Sequence, residues 1–543
     1  MANVTLEHFK RAAVEVGAHG DNDTLPFDID NRFIHANSDE LAGIAFAYFC
    51  ELENAGAKVA VNSINALKVF SERLLAPAGA AGFRLTTKIH PFWNIYLNGL
   101  GVAIAEAHEP QRSPRAHSYR YTPTGNGLFD RTASWRAFRE ATISECEEKG
   151  DGVIVVQTDI SSFYEHVYHH RLENCISDLF PSGSTVKDQI VRLLVKLSAG
   201  RSFGLPVGGQ CSRILAELLM SSIDRMLNDE QIVWRRYVDD FVLVTGSQAE
   251  AYRALSVLSH ALGDYGLSLN KSKSITLTGK HYIDLVRTQL GGSDDDAGRL
   301  KEIDLHFDPY SDTADADYAE LRSVVQSMEV QTLLSLELAK GQPDSFLVTQ
   351  IGRTLKLHQP GVALQLCSSL LAAGNLHAFR ASWSTIMRGI ATLCADEDFE
   401  EIFGRVDDLL DAVPLHSPHL LLAEASCLHY LRTLRFRRTE ARARFVRSTL
   451  RSAQSETIKR ACIDCWRHWK DRPSFISARN RWEAMGAEEQ RMLWLAAGNF
   501  GDDGAHFRKQ SEQSVRQSWR LGIERQGKPT FEAAYRQWVA NGI

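Results

Sequence analysis

Long hydrophobic runs are missing from this 543-residue chain: no apolar stretch approaches the roughly 18 residues a membrane-spanning helix requires, so no membrane role is expected. The opening stretch, MANVTLEHFKRAAVEVGAHG, lacks the basic start, apolar run and small-residue cleavage site of a secretory signal. Cysteine is sparse. Nine are scattered without paired framework spacing, which suits reduced thiols and predicts a cytoplasmic protein. Cys462-x2-Cys465 with His468 lacks the second ligand cluster of a structural zinc site and reads as helix-borne side chains. A basic excess is absent too: the net charge of −6 carries no global signature of nucleic-acid binding, so any basic surface must be local. What is present is an ordinary globular composition, 44% hydrophobic and 24% charged, in a chain long enough for several domains.

Four regions follow from pattern. Residues 1–150 mix helical spacing, as in Leu41 to Gly56 and Val61 to Leu75, with a polar loop-like stretch, EPQRSPRAHSYRYTPTGNG. Residues 151–290 alternate strand and helix signals. Val153 to Val156 is a β-branched run with the character of a buried strand, and the chain turns helical from Tyr164. The loop RSFGLPVGGQ precedes CSRILAELLMSSIDRML, whose apolar residues recur at helical spacing. ALGDYGLSLNKSKS reads as helix, a break at Gly266 and a short strand. Residues 291–320 hold ten acidic and two basic residues and read as an exposed connector. Residues 321–543 are helix-patterned almost throughout, the signature of stacked helical pairs without a strict period.

One stretch conflicts with burial. In RRYVDDFVLV, residues 235–244, two adjacent carboxylates interrupt an apolar run, where an unpaired buried charge costs several kcal/mol. A hairpin resolves the conflict: Ile232 to Val238 and Phe241 to Val244 become strands, and Asp239 and Asp240 sit at the turn. Asp159 ends the other buried strand. Three carboxylates so placed suit two-metal nucleotide joining, in which two Mg²⁺ ions about 4 Å apart activate an attacking hydroxyl and neutralise a leaving pyrophosphate.

The motifs in this order resemble those of reverse transcriptases over roughly residues 20–285. TDISSFYEHV is similar to the first catalytic motif, GLPVGGQCSRILAE to the motif lining nucleotide and template, YVDDF to the paired-aspartate motif, and GLSLNKSKS to the next. The resemblance implies an α+β right-hand fold of fingers and palm, followed here by an all-α, helical-repeat-like domain. It implies Asp159, Asp239 and Asp240 as catalytic residues and, with Ile160, as ligands of two Mg²⁺ ions, with Mn²⁺ as a substitute. Tyr164 falls where the family places an aromatic gate against the ribose 2′-hydroxyl. Phe163, Pro206, Gly208 and Gly209 would line the nucleotide pocket, Arg84, Lys88 and Arg120 would hold triphosphate or template, and Lys273 would assist pyrophosphate departure. The partners implied are deoxynucleoside triphosphates, a DNA product and an RNA template or noncoding RNA; the number of subunits, a homo-oligomer included, stays open.

Departures narrow the family. Val207 and Arg213 stand where mobile-intron members usually carry Gln and Pro, and thumb, maturase, zinc nuclease and RNase H patterns are not found, which disfavours retroviral and intron-mobility roles. The flanks GDNDTLPFDIDNRF, FRLTTKIHPFWNIYLNGL, SYRY and DPYSDTADADY, with the helical half in place of a thumb, resemble bacterial defence reverse transcriptases of the abortive-infection and unknown groups. That likeness implies protection against phage by DNA synthesis, in some members untemplated and primed from a protein hydroxyl. A retron-like or other cellular enzyme and a non-enzymatic nucleic-acid-binding scaffold are the alternatives. A last expectation is local: RTLRFRRTEARARFVRSTLR, residues 432–451, holds eight arginines and one acid, so Arg435, Arg438 and Arg442 would form a phosphate-binding stripe. The bland reading of the same residues pairs them with the acidic connector.

Overall fold

The computed structural model describes residues 3–20, 22–79, 82–125, 127–150, 152–290, 295–303, 314–524 and 527–542. Six strands form two sheets. β1 (Ser71–Ala78) and β2 (Gly82–Ile89) pair antiparallel. β3 (Ile154–Asp159), β4 (Trp234–Tyr237), β5 (Asp240–Thr245) and β6 (Ile275–Thr278) form a four-stranded antiparallel sheet in the order β4-β5-β3-β6. The chain expected to be helical from Val61 to Leu75 is helical only to Ala66. Leu67 is extended and Leu75 lies in β1, where pairing with β2 overrides the local helical spacing.

The central sheet is covered on both faces, which is why its strands read as apolar runs. Alternation along β3 and β5 splits the side chains. Val155, Val242 and Val244 face the helices Trp135–Lys149 and Gly279–Leu290, with Phe138, Tyr282 and Val286. Val156, Phe241 and Leu243 face the main core, which includes the helices Gln210–Asp229 and Gln248–Asp264.

The carboxyl half is all helix among the described residues, and it joins two cores. Residues from Leu300 to Leu434 build a core of their own around Ile351, Leu366 and Ile390. Residues from Ala425 to Val539 belong instead to the main core, where Phe531, Tyr535 and Trp538 pack around Phe33. The helices Ser345–Thr354, Trp383–Cys394, Glu424–Leu434, Glu456–Trp469 and Ala487–Ala496 stack in succession between them. The fold class is thus α+β, an antiparallel sheet layered with helices and followed by stacked helices, as expected. Residues 291–294 and 304–313 of the acidic stretch, including most of DPYSDTADADY, lie outside the described residues, while Leu300 within the stretch is buried in the second core. Cys462 and Cys465 are buried in the main core as free thiols. No helix among the described residues is long and apolar enough to cross a membrane.

Candidate active site

Register brings the acidic residues together. Asp159, the last residue of β3, is paired across the sheet with Asp240, the first residue of β5, and Asp239 occupies the turn between β4 and β5. The turn is held open by Val238, whose φ of 57° places it in the left-handed region. Its N–H donates to Ser118 Oγ at 2.9 Å and its carbonyl accepts from Arg236 Nη1 at 3.2 Å.

The segment resembling the fourth motif lies alongside. Asn270 N–H donates to the Asp159 carbonyl at 2.7 Å, Ile160 bridges to Leu269, and Lys273 Nζ stands 2.6 Å from Asp159 Oδ2. The hydrogen bond to Asp159 raises the Lys273 pKa. One ammonium does not neutralise three carboxylates. Burial, Asp159 and Asp240 push Asp239 up to about 7. Burial and Asp159 likewise raise Asp240, against the opposing pull of Arg139 and Lys273. Among the described residues no three acidic, imidazole or thiolate groups stand as a ready-made cation cage. The donor set nevertheless fits a hard divalent cation: convergent carboxylates whose protonation is favoured by their mutual repulsion are what such a charge would relieve.

Beside the acidic tip, Phe163 is buried and its ring lies 5.4 Å from that of Tyr164, which is half-buried. Burial, with Tyr119 and Asp239 nearby, raises the Tyr164 phenol well above its ordinary value. The Tyr164 carbonyl accepts from Leu205 N–H at 2.8 Å, joining it to the glycine loop. That loop is pinned at Val207, whose carbonyl accepts from Asn22 Nδ2 (2.9 Å), Thr86 Oγ1 (3.1 Å) and Thr87 N–H (3.2 Å). Pro206 is buried and its carbonyl accepts from Ser212 Oγ. Gly208 has φ of 109°, and a Cβ there would lie 2.2 Å from the Asn22 side chain, so a larger residue is excluded twice. Gly209 precedes the helix Gln210–Asp229. Arg213 stacks over the Tyr119 ring and binds Asp23 at 2.6 Å.

The other basic residues expected to grip phosphate are placed differently. Arg84 is exposed on β2. Lys88, two residue pairs along the same strand from Arg84, is only 4% exposed and binds Asp28 at 2.9 Å, because the N-terminal segment and the helical half cover that part of β2. Arg120 binds Glu109 at 2.7 Å and donates to the carbonyls of Ser113 and Ala116, ordering its own loop. The arginine stripe is corrected as well. Arg442 is 2% exposed, binding Asp407 and Asp411 and donating to the Arg437 carbonyl. Arg435 pairs with Asp464, and the exposed Arg438 pairs with Glu440. The acidic partners of Arg435 and Arg442 come from neighbouring helices and that of Arg438 from the stretch itself, none of them from the acidic connector.

Sequence reasoning passed over the support beneath the tip. Arg236, 0% exposed, binds Asp224 through Nε and Nη2, both at 2.8 Å, and Glu217 at 2.9 Å. Glu217 also binds Arg112 at 2.5 Å and Ser118. Burial raises and Arg236 and Arg112 lower the Glu217 pKa, and the arginines win; for Asp224, burial wins over Arg236. The signal was in the spacing. Trp234 and Arg236 share the inward face of β4, and Glu217 and Asp224 lie two turns apart on one apolar helix.

Residues 104–297 match the family model of reverse transcriptase (RNA-dependent DNA polymerase). No curated protein matches the chain. Among solved structures, a telomerase from Candida albicans in complex with a fragment of telomeric RNA aligns at a TM-score of 0.31 and 11% identity, over 65% of this chain and 68% of that one. Two apo telomerase structures from Candida tropicalis align as well. One, truncated from its C-terminal domain, gives 0.27 and 13% over 39% and 50% of the two chains, and the other gives 0.29 and 10% over 67% and 69%. The matched region contains β3 to β6 and the three aspartates.

Proposed function

We propose that this protein is a metal-dependent nucleotidyltransferase that polymerises deoxynucleotides into DNA, with Asp159, Asp239 and Asp240 as its catalytic carboxylates. The observation that carries this reading is the pairing of Asp159 with Asp240 beside the Asp239 turn, a three-carboxylate edge with too little positive charge of its own. These side chains, with Ile160 beside them, would hold two Mg²⁺ ions, or Mn²⁺ in their place. When bound, such ions supply Lewis-acid activation of a 3′-hydroxyl and charge neutralisation of the leaving pyrophosphate. The rest falls to this chain's residues. Asp239 must give up the proton its carboxyl keeps near neutrality, and Lys273 holds Asp159 in place. Tyr164 bars bulk at the sugar, and the loop at Gly208 and Gly209 lets a nucleotide approach the backbone closely.

The finer reading is defence against phage in the bacterial cytoplasm, with synthesis primed from a protein hydroxyl and independent of a template. It is supported by the likeness of the flanking segments to defence reverse transcriptases and by the all-helical carboxyl half that follows the strands. The partners on this reading are deoxynucleoside triphosphates, the DNA product and an RNA. The test is Asp239→Asn combined with Asp240→Asn. The double variant should fold and lose both polymerisation and protection from phage. Full protection at wild-type expression would favour a nucleic-acid-binding scaffold instead. Sequencing any DNA that co-purifies covalently attached to the wild-type protein decides between protein-primed, untemplated synthesis and a retron-like enzyme that copies an RNA.

A further inference from the structure

A cleft separates the segment Leu25–Ile29 and Lys88 from the helices Glu424–Leu434, Glu456–Trp469 and Ala487–Ala496. None of the three aspartates lines it. Its floor is apolar, with Phe27, Leu428 and Met492, and four cations line it: Lys88, Arg432, Arg435 and Arg460. Three of the four have carboxylate partners: Lys88 binds Asp28 at 2.9 Å, Arg435 binds Asp464 at 3.1 Å and Arg460 binds Asp30 at 2.6 Å.

Arg432 differs. Among the described residues its guanidinium has neither an ion pair nor a hydrogen bond, and its Nε–H is buried without an acceptor. The Nε–H groups of Arg435 and Arg460 are buried without acceptors too. Burial and the neighbouring Arg435 and Arg388 push Arg432 down to about 10, and Asp28 and Asp464, which also line the cleft, offset this only in part. Proteins seldom leave buried donors unpaired, and donors gathered at one cavity point to a ligand rich in acceptors.

We propose that this cleft binds a phosphate group, with Arg432 as its principal contact. A phosphate offers acceptors in several directions and pairs with a guanidinium fork, whereas a carboxylate offers only two oxygens in one plane. The apolar floor suits the ring that carries the phosphate. A free nucleotide and a nucleic-acid strand share this chemistry. The cleft also adjoins the loop support: Thr24, just before Leu25, binds Asn22 and Thr86, both donors to Val207, and its carbonyl contacts His429. The inference stands whether or not the aspartates catalyse polymerisation.

The experiment uses the full-length protein in EDTA and compares thermal unfolding in inorganic phosphate and in chloride at matched ionic strength. Phosphate should raise the wild-type midpoint and leave that of Arg432→Gln unmoved. In chloride, Arg432→Gln should melt no lower than wild type, since it removes a buried cation that has no partner. Anisotropy titrations with labelled dATP and with labelled oligothymidylate then identify the source. The substitution should weaken one of them by at least about tenfold, the nucleotide if free nucleotides occupy the cleft and the oligomer if a strand crosses it. Arg432→Lys, which keeps the charge and loses the fork, should fold as wild type and show a weakened phosphate response. The proposal is overturned if the substituted protein responds to phosphate as wild type does, if neither probe loses affinity, or if Arg432→Gln melts lower in chloride.

Discussion

Asp239→Asn should stabilise the metal-free protein near neutral pH even as it abolishes activity. In the folded chain the Asp239 carboxyl keeps its proton to about pH 7, because burial, Asp159 and Asp240 oppose its ionisation, whereas its ordinary value is 3.8. Between those values the folded state binds a proton that the unfolded state has lost. The stability this provides is fully present below 3.8 and drains away as pH rises towards 7. At about 1.4 kcal/mol per pKa unit, a shift of this size sets a ceiling of about 4 kcal/mol, and solvent reaching a partly exposed side chain reduces it to about 2 kcal/mol. Asparagine keeps the shape without the charge. Urea unfolding in EDTA should therefore show Asp239→Asn more stable by about 2 kcal/mol near pH 8 and indistinguishable from wild type near pH 4. Mg²⁺ added near pH 8 should stabilise wild type far more than Asp239→Asn, since a bound ion favours the ionised carboxylates. If Asp239→Asn is less stable than wild type near pH 8, or equally stabilised at both pH values, the three carboxylates do not repel one another, and the cation site falls with that argument.

Arg236→Met should cost about 3–5 kcal/mol in urea unfolding, because Glu217 and Asp224 stay buried without their main counter-charge. Adding Glu217→Gln and Asp224→Asn should restore most of it. Tyr164→Ala should admit ribonucleotides into the product with a modest effect on deoxynucleotide use; an unchanged preference between dATP and ATP in primer extension would make Tyr164 a packing residue. Arg438→Glu, at an exposed position, should change stability by less than about 0.5 kcal/mol. Arg442→Glu sets a buried acid against Asp407 and Asp411, and should cost at least about 3 kcal/mol by the same measurement.

What could be read from the sequence was whatever local pattern determines. The β-branched run at Val153 to Val156, the alternation through RRYVDDFVLV and the glycines of GLPVGGQ each specify a local conformation, and together they placed the carboxylates at strand ends. Basic residues were read far less well. Arg442 and Lys88 look like surface cations because their partners, Asp407, Asp411 and Asp28, are distant in sequence, and charge density alone does not say which guanidinium is buried. The strand at Ser71–Ala78 was missed for a related reason: its conformation is set by pairing with β2 and not by its own spacing. Arg236 is the instructive intermediate, because its inward position follows from period-two alternation, while the identity of its partners requires the fold.

The same distinction bears on how the helical half is attached. A separate appended domain would meet the strand-bearing half through a polar, hydrated surface. Here the seam is dry and charged at once. Asp30 is fully buried between Arg460 and Arg491, and although burial works to raise its pKa, the two arginines hold the carboxyl well below the ordinary range. Glu72 accepts from the first backbone N–H groups of the helix Glu456–Trp469, closing an otherwise unsatisfied helix end with a residue of β1. Burying such charges is costly unless every partner is in place, so the arrangement tolerates one docking geometry and penalises others. Because Phe33 is enclosed by Phe531, Tyr535 and Trp538, the apolar core is continuous across the seam. The helical half is therefore part of what folds the amino-terminal region: it covers Lys88, contacts Thr24, and through Asn22 and Thr86 bears on the carbonyl of Val207 that sets the glycine loop beside the aspartates.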